Sequence, residues 1–199
     1  MAGSPKKQAG LDSKQIILNA AIAEFAERGR DGVRMEKVAQ RAGLNKALVY
    51  RHFESREKLF EMALESVFAD RFKLLDGLPG EIIPLFEIWT KRFADDSLFL
   101  KLILRESLEL PSDEPIHAEL RERYYRHQVD GIRKYQQRGK LPTDMDPESL
   151  FLMLTAILVF PYLLPQVTRL VMGQGPESES FKSRWEKQFA QLVASLEKK

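Results

Sequence analysis

Apolar residues recur at the spacing of an α-helix from about residue 12 onward. The pattern predicts a helix that begins after Asp12 and whose inner face carries Ile17, Ala20, Ala21 and Phe25. Asp12 and Gln15 have the spacing of a capping box, in which each side chain satisfies a free backbone N–H of the first turn. Gly29 stands where a left-handed residue would end this helix.

Three more helices are predicted in the N-terminal part of the chain. The first runs from about Met35 to Ala42 and is broken by Gly43. Asn45 can cap the second, which runs through Phe53, and Ser55 can cap the third, which extends to about residue 75.

The remaining sequence keeps the helical period, with helices predicted at 81–94, 97–110, 116–138, 148–160 or further, and 180–197. No stretch combines two-residue alternation with many β-branched residues. The expected fold is therefore all-α, with about nine helices. We expect a flexible tail at residues 1–11, a helix-turn-helix domain at 12–56 and a larger helical domain at 57–199.

One segment, residues 150–168, contains no charged side chain over 19 residues. Its length approaches that of a membrane-spanning helix. It also contains Pro161 and Pro165, and no basic cluster flanks it, so a helix buried in a bundle or a subunit interface is the favoured interpretation. Pro161 lacks a backbone N–H and is expected to kink or end the helix near Phe160.

Composition narrows the classes of function. The chain has 199 residues, 44% of them hydrophobic, and no cysteine, which excludes disulfides, thiolate metal sites and cysteine nucleophiles. Residues 1–60 carry a net charge of +5 and the remainder −3. This asymmetry favours a polyanion as the partner of the N-terminal part, although an uneven surface without a ligand would look the same. The N-terminus lacks the apolar core of a signal peptide, so we expect a cytoplasmic protein.

Residues 35–53 contain the pattern of a helix-turn-helix. Ala39 is small where the two helices would cross, Gly43 suits the turn, and Val49 is aliphatic beneath the second helix. That second helix then presents polar and basic side chains outward, which suits contacts with phosphates and base edges in a DNA major groove. An ordinary helix pair with a solvated face is the alternative that the pattern leaves open.

The segment GLNKALVYRHFESREKL resembles the recognition helix and the start of helix four in the tetracycline-repressor (TetR) family, which read roughly G-V-S-K-G-T-L-Y-Y-H-F-x-x-K-E-x-L. The upstream ILNAAIAEFAERGRDGVRMEKVAQRAG is similar to the first two helices of that family. The resemblance covers about residues 13–64. It implies a DNA-binding transcriptional regulator, most commonly a repressor, acting as a homodimer on a palindromic double-stranded operator.

The resemblance also assigns roles to individual positions. Lys46, Tyr50 and His52 match positions that contact DNA, mainly phosphate. Arg56 replaces the usual lysine at the start of helix four, and Arg34 replaces a threonine that caps helix two. The full set of expected DNA-binding residues is Arg34, Leu44, Asn45, Lys46, Leu48, Tyr50, Arg51, His52 and Arg56.

The C-terminal part is expected to supply dimerisation and ligand response. An apolar stripe at helical spacing, together with the 150–160 segment, resembles the two helices that TetR-family proteins contribute to a four-helix dimer interface; its members are Phe181, Trp185, Phe189, Leu192 and Leu196. A helix packed only within its own subunit is the alternative. The middle helices are apolar with a few polar groups, as in small-molecule pockets. The candidate pocket residues are Phe86, Trp89, Phe93, Leu102, Arg105, Glu106, Tyr124 and His127. Core packing is the alternative for each of them.

An enzyme is the competing class. The three histidines lack metal-ligand spacing, and neither a GxSxG elbow nor a phosphate-binding loop is present. We therefore expect no catalytic residues, no metal and no cofactor. The stronger alternative is a constitutive DNA-binding adaptor of the same fold, whose C-terminal half binds a protein instead of a small effector.

Overall fold

A computed structural model describes residues 12–75, 81–95, 97–111 and 113–197. Over these ranges the chain forms ten α-helices and no strand, so the all-α prediction is confirmed. The helices are α1 (Ser13–Gly32), α2 (Met35–Ala42), α3 (Lys46–His52), α4 (Arg56–Leu75), α5 (Ile82–Asp95), α6 (Leu98–Glu109), α7 (Ala118–Gln137), α8 (Pro147–Leu163), α9 (Pro165–Met172) and α10 (Glu179–Glu197). The predicted tail at residues 1–11 lies outside the described residues. The prediction of about nine helices missed α9.

The predicted beginning and end of α1 need correction. The Asp12 carboxylate accepts a weak hydrogen bond from the Lys14 N–H at 3.4 Å, but the Gln15 amide donates to Asn19 one turn further on. The reciprocal capping box is therefore wrong. Gly29 has the expected positive φ of 73°, yet its ψ of 173° is extended, and a last helical turn continues to Gly32.

Pro161 does not end α8 near Phe160, since the helix continues to Leu163. The break comes at Leu164, and Pro165 then occupies the first turn of α9, where a missing N–H costs no helical hydrogen bond. The two helices meet at 90°. In the described ranges no single helix is long and apolar enough to cross a membrane, and α8 and α9 meet that criterion only as a bent pair.

The described residues form two compact units. The first comprises the described part of Met1–Asp70 together with Lys101–Ala118, so the expected boundary at residue 56 falls inside it. Its core packs the inner faces of α1 to α4 around fully buried side chains, the largest of which are Phe25, Phe53, Phe60, Ile17, Leu59 and Leu64. The Phe25 and Phe60 rings meet edge to face, with centroids 4.8 Å apart.

The second unit comprises Arg71–Leu100 and Glu119–Lys199. Its core joins α5, α7, α8 and α10 through buried residues that include Phe86, Ile132, Leu150 and Phe189. Phe86 of α5 stacks on Phe189 of α10, with centroids 3.6 Å apart and ring planes within 7°. Helices α4 and α6 each contribute residues to both units.

Candidate nucleic-acid interface

Helices α2 and α3 form the predicted helix-turn-helix. Val38, Ala39 and Val49 are buried in the core of the first unit. Gly43 adopts the left-handed conformation, with φ 68° and ψ 26°, and the Leu44 N–H donates to the Ala39 carbonyl at 3.0 Å, which closes the end of α2. The predicted glycine turn is therefore confirmed.

A buried carboxylate fixes α2 against α1. Glu24 has only 4% of its side chain exposed, and its two oxygens meet the Nε atoms of Arg41 and Arg28, each at 2.9 Å. Arg41, on α2, also contacts the Glu27 carboxylate at 2.8 Å. Since a buried charge is tolerated only when it is paired, this cluster specifies how α2 sits on α1. The amino-acid sequence did not reveal this cluster, because a glutamate within an amphipathic helix normally faces solvent.

The start of α3 combines a cap with a charged pair. The Asn45 side chain accepts from the Leu48 N–H at 2.8 Å, which confirms the predicted cap. The Lys46 ammonium pairs with the Glu36 carboxylate on α2 and lies 5.5 Å from the centroid of the exposed Tyr50 ring. The hydrogen bond with Lys46 lowers the pKa of Glu36, and the same contact raises the pKa of Lys46. Lys46 is thus held, in its charged form, on the surface of the recognition helix.

The other residues expected to bind DNA differ in how accessible they are. Arg34 and Arg51 are exposed, and the Arg34 side chain makes no capping hydrogen bond to α2. Leu44 and Leu48 are half-buried, and Leu44 packs on the core. The Nε2 atom of His52 lies 2.9 Å from the Ser13 hydroxyl at the start of α1, so this ring is held between α3 and α1.

Arg56 is engaged within the protein. Its guanidinium donates to the Asp31 carbonyl at 3.0 Å, to the Asp31 carboxylate at 3.1 Å, and to the neighbouring Glu57 carboxylate. It therefore ties the start of α4 to the last turn of α1.

The expected pocket residues are divided between the two units. Leu102, Arg105 and Glu106 belong to the first unit. Leu102 is part of its core, Arg105 donates to the Glu27 carbonyl at 3.3 Å, and the buried Glu106 carboxylate accepts from the Ile116 N–H at 3.2 Å. These three side chains therefore have packing and hydrogen-bonding roles inside the first unit, and helical periodicity alone did not reveal this.

The other five candidates lie in the second unit. Trp89 and Phe93 are buried on α5, and the buried Arg71 guanidinium lies over both rings, 5.2 and 5.1 Å from their centroids. Tyr124 is buried and accepts from the Gln128 amide at 3.1 Å, and burial raises the pKa of its hydroxyl. His127 is exposed. Arg71 was not predicted, since no sequence pattern marks a lone arginine that folding buries among aromatic rings.

An open cleft of about 340 Å³ lies in the first unit. The start of α1 and the middle of α4 line it, with Asp12, Lys14, Gln15 and Leu18 on one side and Met62, Glu65, Ser66 and Ala69 on the other. None of these eight residues was among the pocket candidates.

Part of the expected dimer stripe on α10 is covered within its own unit. Phe181 and Phe189 are buried within their own unit, and Trp185 packs on the core that contains Phe189. Leu192 is exposed and Leu196 half-buried. Among the described residues, exposed large apolar side chains are most numerous on α8 and α9, where they include Leu152, Met153, Phe160, Val167, Leu170 and Val171. Periodicity located the apolar stripe of α10 but not the element that covers it.

Fold and site together define a helix-turn-helix DNA-binding protein, and comparison with known families agrees. The model "Bacterial regulatory proteins, tetR family" matches residues 17–63, and "Tetracyclin repressor-like, C-terminal domain" matches residues 89–190. The chain belongs to the TetR family of transcriptional regulators.

Individual relatives support the same assignment. The HTH-type transcriptional repressor SCO4008 of Streptomyces coelicolor is 29% identical over 167 residues, which cover 82% of this chain and 85% of the relative. The negative regulator IcaR of the Staphylococcus aureus biofilm operon icaADBC is 33% identical over 55 residues, covering 28% of this chain and 30% of its own.

Solved structures show the same fold over most of the chain. SCO4942 from Streptomyces coelicolor superposes with a TM-score of 0.75 at 22% identity, covering 91% of this chain and 98% of its own. Salmonella enterica GusR superposes with a TM-score of 0.63 at 18% identity, covering 95% of this chain and 99% of the GusR chain.

Proposed function

We propose that this chain is a ligand-responsive repressor rather than an enzyme, that it acts in the cytoplasm, and that it binds a palindromic operator as a homodimer until a small, largely apolar effector releases it. The observation that carries the proposal is the helix-turn-helix, in which α3 presents Lys46, Tyr50 and Arg51 at the surface. Their donors suit phosphate and base-edge contacts in a major groove.

The charges around α3 indicate how DNA would be engaged. Lys46 is paired with Glu36, so contact with a phosphate would replace a carboxylate partner by a phosphate partner. The two contacts are chemically similar, and the exchange releases counterions from the DNA. The His52 side chain bonds to Ser13 at the start of α1, and the Asn45 side chain caps α3 itself, which supports a positioning role for both in addition to any contact with DNA.

The exposed apolar face of α8 and α9 supports the dimer. Leu170 is 87% exposed and Val171 76% exposed, and Leu152, Met153 and Phe160 of α8 are exposed as well. Such a concentration of exposed apolar side chains on two consecutive helices is typical of an interaction site. A second copy of the chain is the proposed partner, because two-fold symmetry of the protein matches a palindromic operator.

Sedimentation equilibrium tests the dimer. We expect the wild type to sediment as a dimer and Leu170→Glu to sediment as a monomer, since a charge in an apolar interface loses its solvation. Leu108→Glu is the matched control, because Leu108 is a similarly exposed leucine on α6, a different helix from α8 and α9. A wild type that remains monomeric at all concentrations, or a dimer that Leu170→Glu leaves intact, would contradict this part of the proposal.

Selection from randomised duplexes, read by fluorescence anisotropy, tests DNA binding. We expect a palindromic sequence to be retained and Lys46→Ala to bind it less tightly. If the wild type retained no duplex even at low salt, the helix-turn-helix would have another role.

The effector requires a separate test, because the adaptor alternative shares the DNA-binding domain. The buried aromatic residues Trp89, Phe93 and Tyr124 support an apolar ligand in the second unit. A panel of apolar small molecules should contain one that releases the selected duplex, and Trp89→Ala should reduce that release more than it reduces DNA affinity. A duplex that no compound releases would favour the adaptor, whose partner is a protein.

A further inference from the structure

The last turn of α6 binds the backbone at the end of α1. The Glu109 carboxylate accepts a hydrogen bond from the Arg30 backbone N–H at 2.6 Å. One turn earlier, the Arg105 guanidinium donates to the Glu27 backbone carbonyl at 3.3 Å. Two side chains of α6 thus bind main-chain atoms on either side of Gly29.

Gly29 makes this contact possible. Its φ of 73° and ψ of 173° belong to a region that residues with a side chain adopt only under strain. A Cβ atom added at this position would lie 1.9 Å from Oε1 of Glu109, closer than any real contact. The glycine therefore allows both the backbone conformation and the close approach of the carboxylate.

The segment held by Glu109 leads directly into the helix-turn-helix. Asp31 follows Arg30, and its carbonyl and carboxylate accept hydrogen bonds from Arg56 at the start of α4. Val33 is buried, and α2 begins at Met35. The last turn of α1, which leads into α2, is therefore bonded both by α6 and by α4.

We propose that Glu109 is a positioning residue for DNA binding, which fixes the turn before the helix-turn-helix and couples α6 to it. Helix α6 is continuous, with residues 98–100 in the second unit and residues 101–109 in the first. The positioning role rests on the proposed DNA binding, whereas the contact itself does not.

The sign of the effect on DNA affinity separates positioning from simple charge. Removing a carboxylate near DNA normally strengthens binding, because phosphate repulsion is reduced. Loss of a positioning contact weakens binding instead. Glu114→Gln is the matched control, since Glu114 is an exposed carboxylate on the connection that follows α6. Glu109→Gln is the conservative variant, because its amide oxygen can still accept from Arg30.

The experiment uses the full-length chain and the duplex that the wild type retains from the randomised pool. Glu109→Ala should weaken binding about 5-fold and speed hydrogen exchange of the Arg30 amide about 10-fold, since a charge-assisted hydrogen bond is lost. The dependence of affinity on salt should keep its slope, because no phosphate contact is removed. Glu109→Gln should recover part of both effects, and Glu114→Gln should bind as tightly as the wild type or more tightly.

Three results would overturn the inference: Glu109→Ala binding at least as tightly as Glu114→Gln, an unchanged exchange rate at Arg30, or a reduced salt slope in Glu109→Ala. If Glu109→Ala does not fold, Glu109→Gln gives the same comparison with a smaller expected change. If the wild type binds no duplex, the proposed function fails, while exchange at Arg30 still shows whether Glu109 holds the turn.

Discussion

Replacing Arg41 tests whether the buried Glu24 carboxylate fixes the helix-turn-helix against α1. Arg41 approaches that carboxylate from α2 at 2.9 Å, and 34% of its side chain is exposed, whereas Glu24 is 4% exposed. Arg41→Met keeps most of the aliphatic packing and removes the charge. The Glu24 oxygen that faces Arg41 then loses its cationic partner in a site with little access to water.

The expected loss of stability follows from this geometry. Removing one partner of a fully buried ion pair costs about 3–5 kcal/mol, because the other charge stays buried and uncompensated. Arg28 still contacts the second Glu24 oxygen at 2.9 Å, so the loss should be smaller, about 2–3 kcal/mol. For a chain of this size that corresponds to a fall in melting temperature of roughly 5–10 °C.

Arg28 provides the matched control. It contacts the same carboxylate, but 52% of its side chain is exposed, so Arg28→Met should cost no more than about 1 kcal/mol. The free energy of unfolding of both variants can be measured by urea denaturation, monitored by circular dichroism at one protein concentration. Combining Arg41→Met with Glu24→Gln in a double-mutant cycle should give a coupling of about 1–2 kcal/mol. Equal losses for the two arginine variants, or a coupling below about 0.5 kcal/mol, would refute the reasoning.

Three further outcomes are expected. Lys46→Ala should lower the slope of log affinity against log salt by about 1, and an unchanged slope would argue against a phosphate contact. Glu36→Gln should strengthen DNA binding, because it frees Lys46 to contact phosphate. Asn45→Ala should reduce stability by about 1 kcal/mol in thermal unfolding, because α3 loses its cap, and Asn45→Asp should retain it. The pKa of Glu186 is raised, mainly by burial and to a smaller extent by repulsion from neighbouring carboxylates. The folded state therefore loses stability as the pH rises from the ordinary glutamate pKa through that raised pKa. Glu186→Gln should therefore be more stable than the wild type at pH 7 and lose this advantage at pH 4; an advantage that persists at pH 4 would point to another cause.

Local chemistry was sufficient to predict the elements of the DNA-binding domain. Glycine is one of the few residue types that readily end a helix in the left-handed conformation, and asparagine is a preferred N-cap. Gly43 and Asn45 were therefore enough to predict the turn and the start of α3. The resemblance of the 17 residues from Gly43 onward to the TetR pattern was enough to identify the family. These features depend on residues within a few positions of one another.

Long-range packing determined which apolar faces are covered and which charges are paired, and neither could be predicted from the residues alone. The α10 stripe has perfect helical spacing, yet Phe189 is covered by Phe86 of the same unit, while Leu170 and Val171 of α9 are left exposed. Glu24 can be buried because Arg41, 17 positions away in the sequence, forms an ion pair with it. Helical periodicity specifies a face but not its neighbour, because the neighbour is chosen by tertiary contacts and by the need to pair every buried charge.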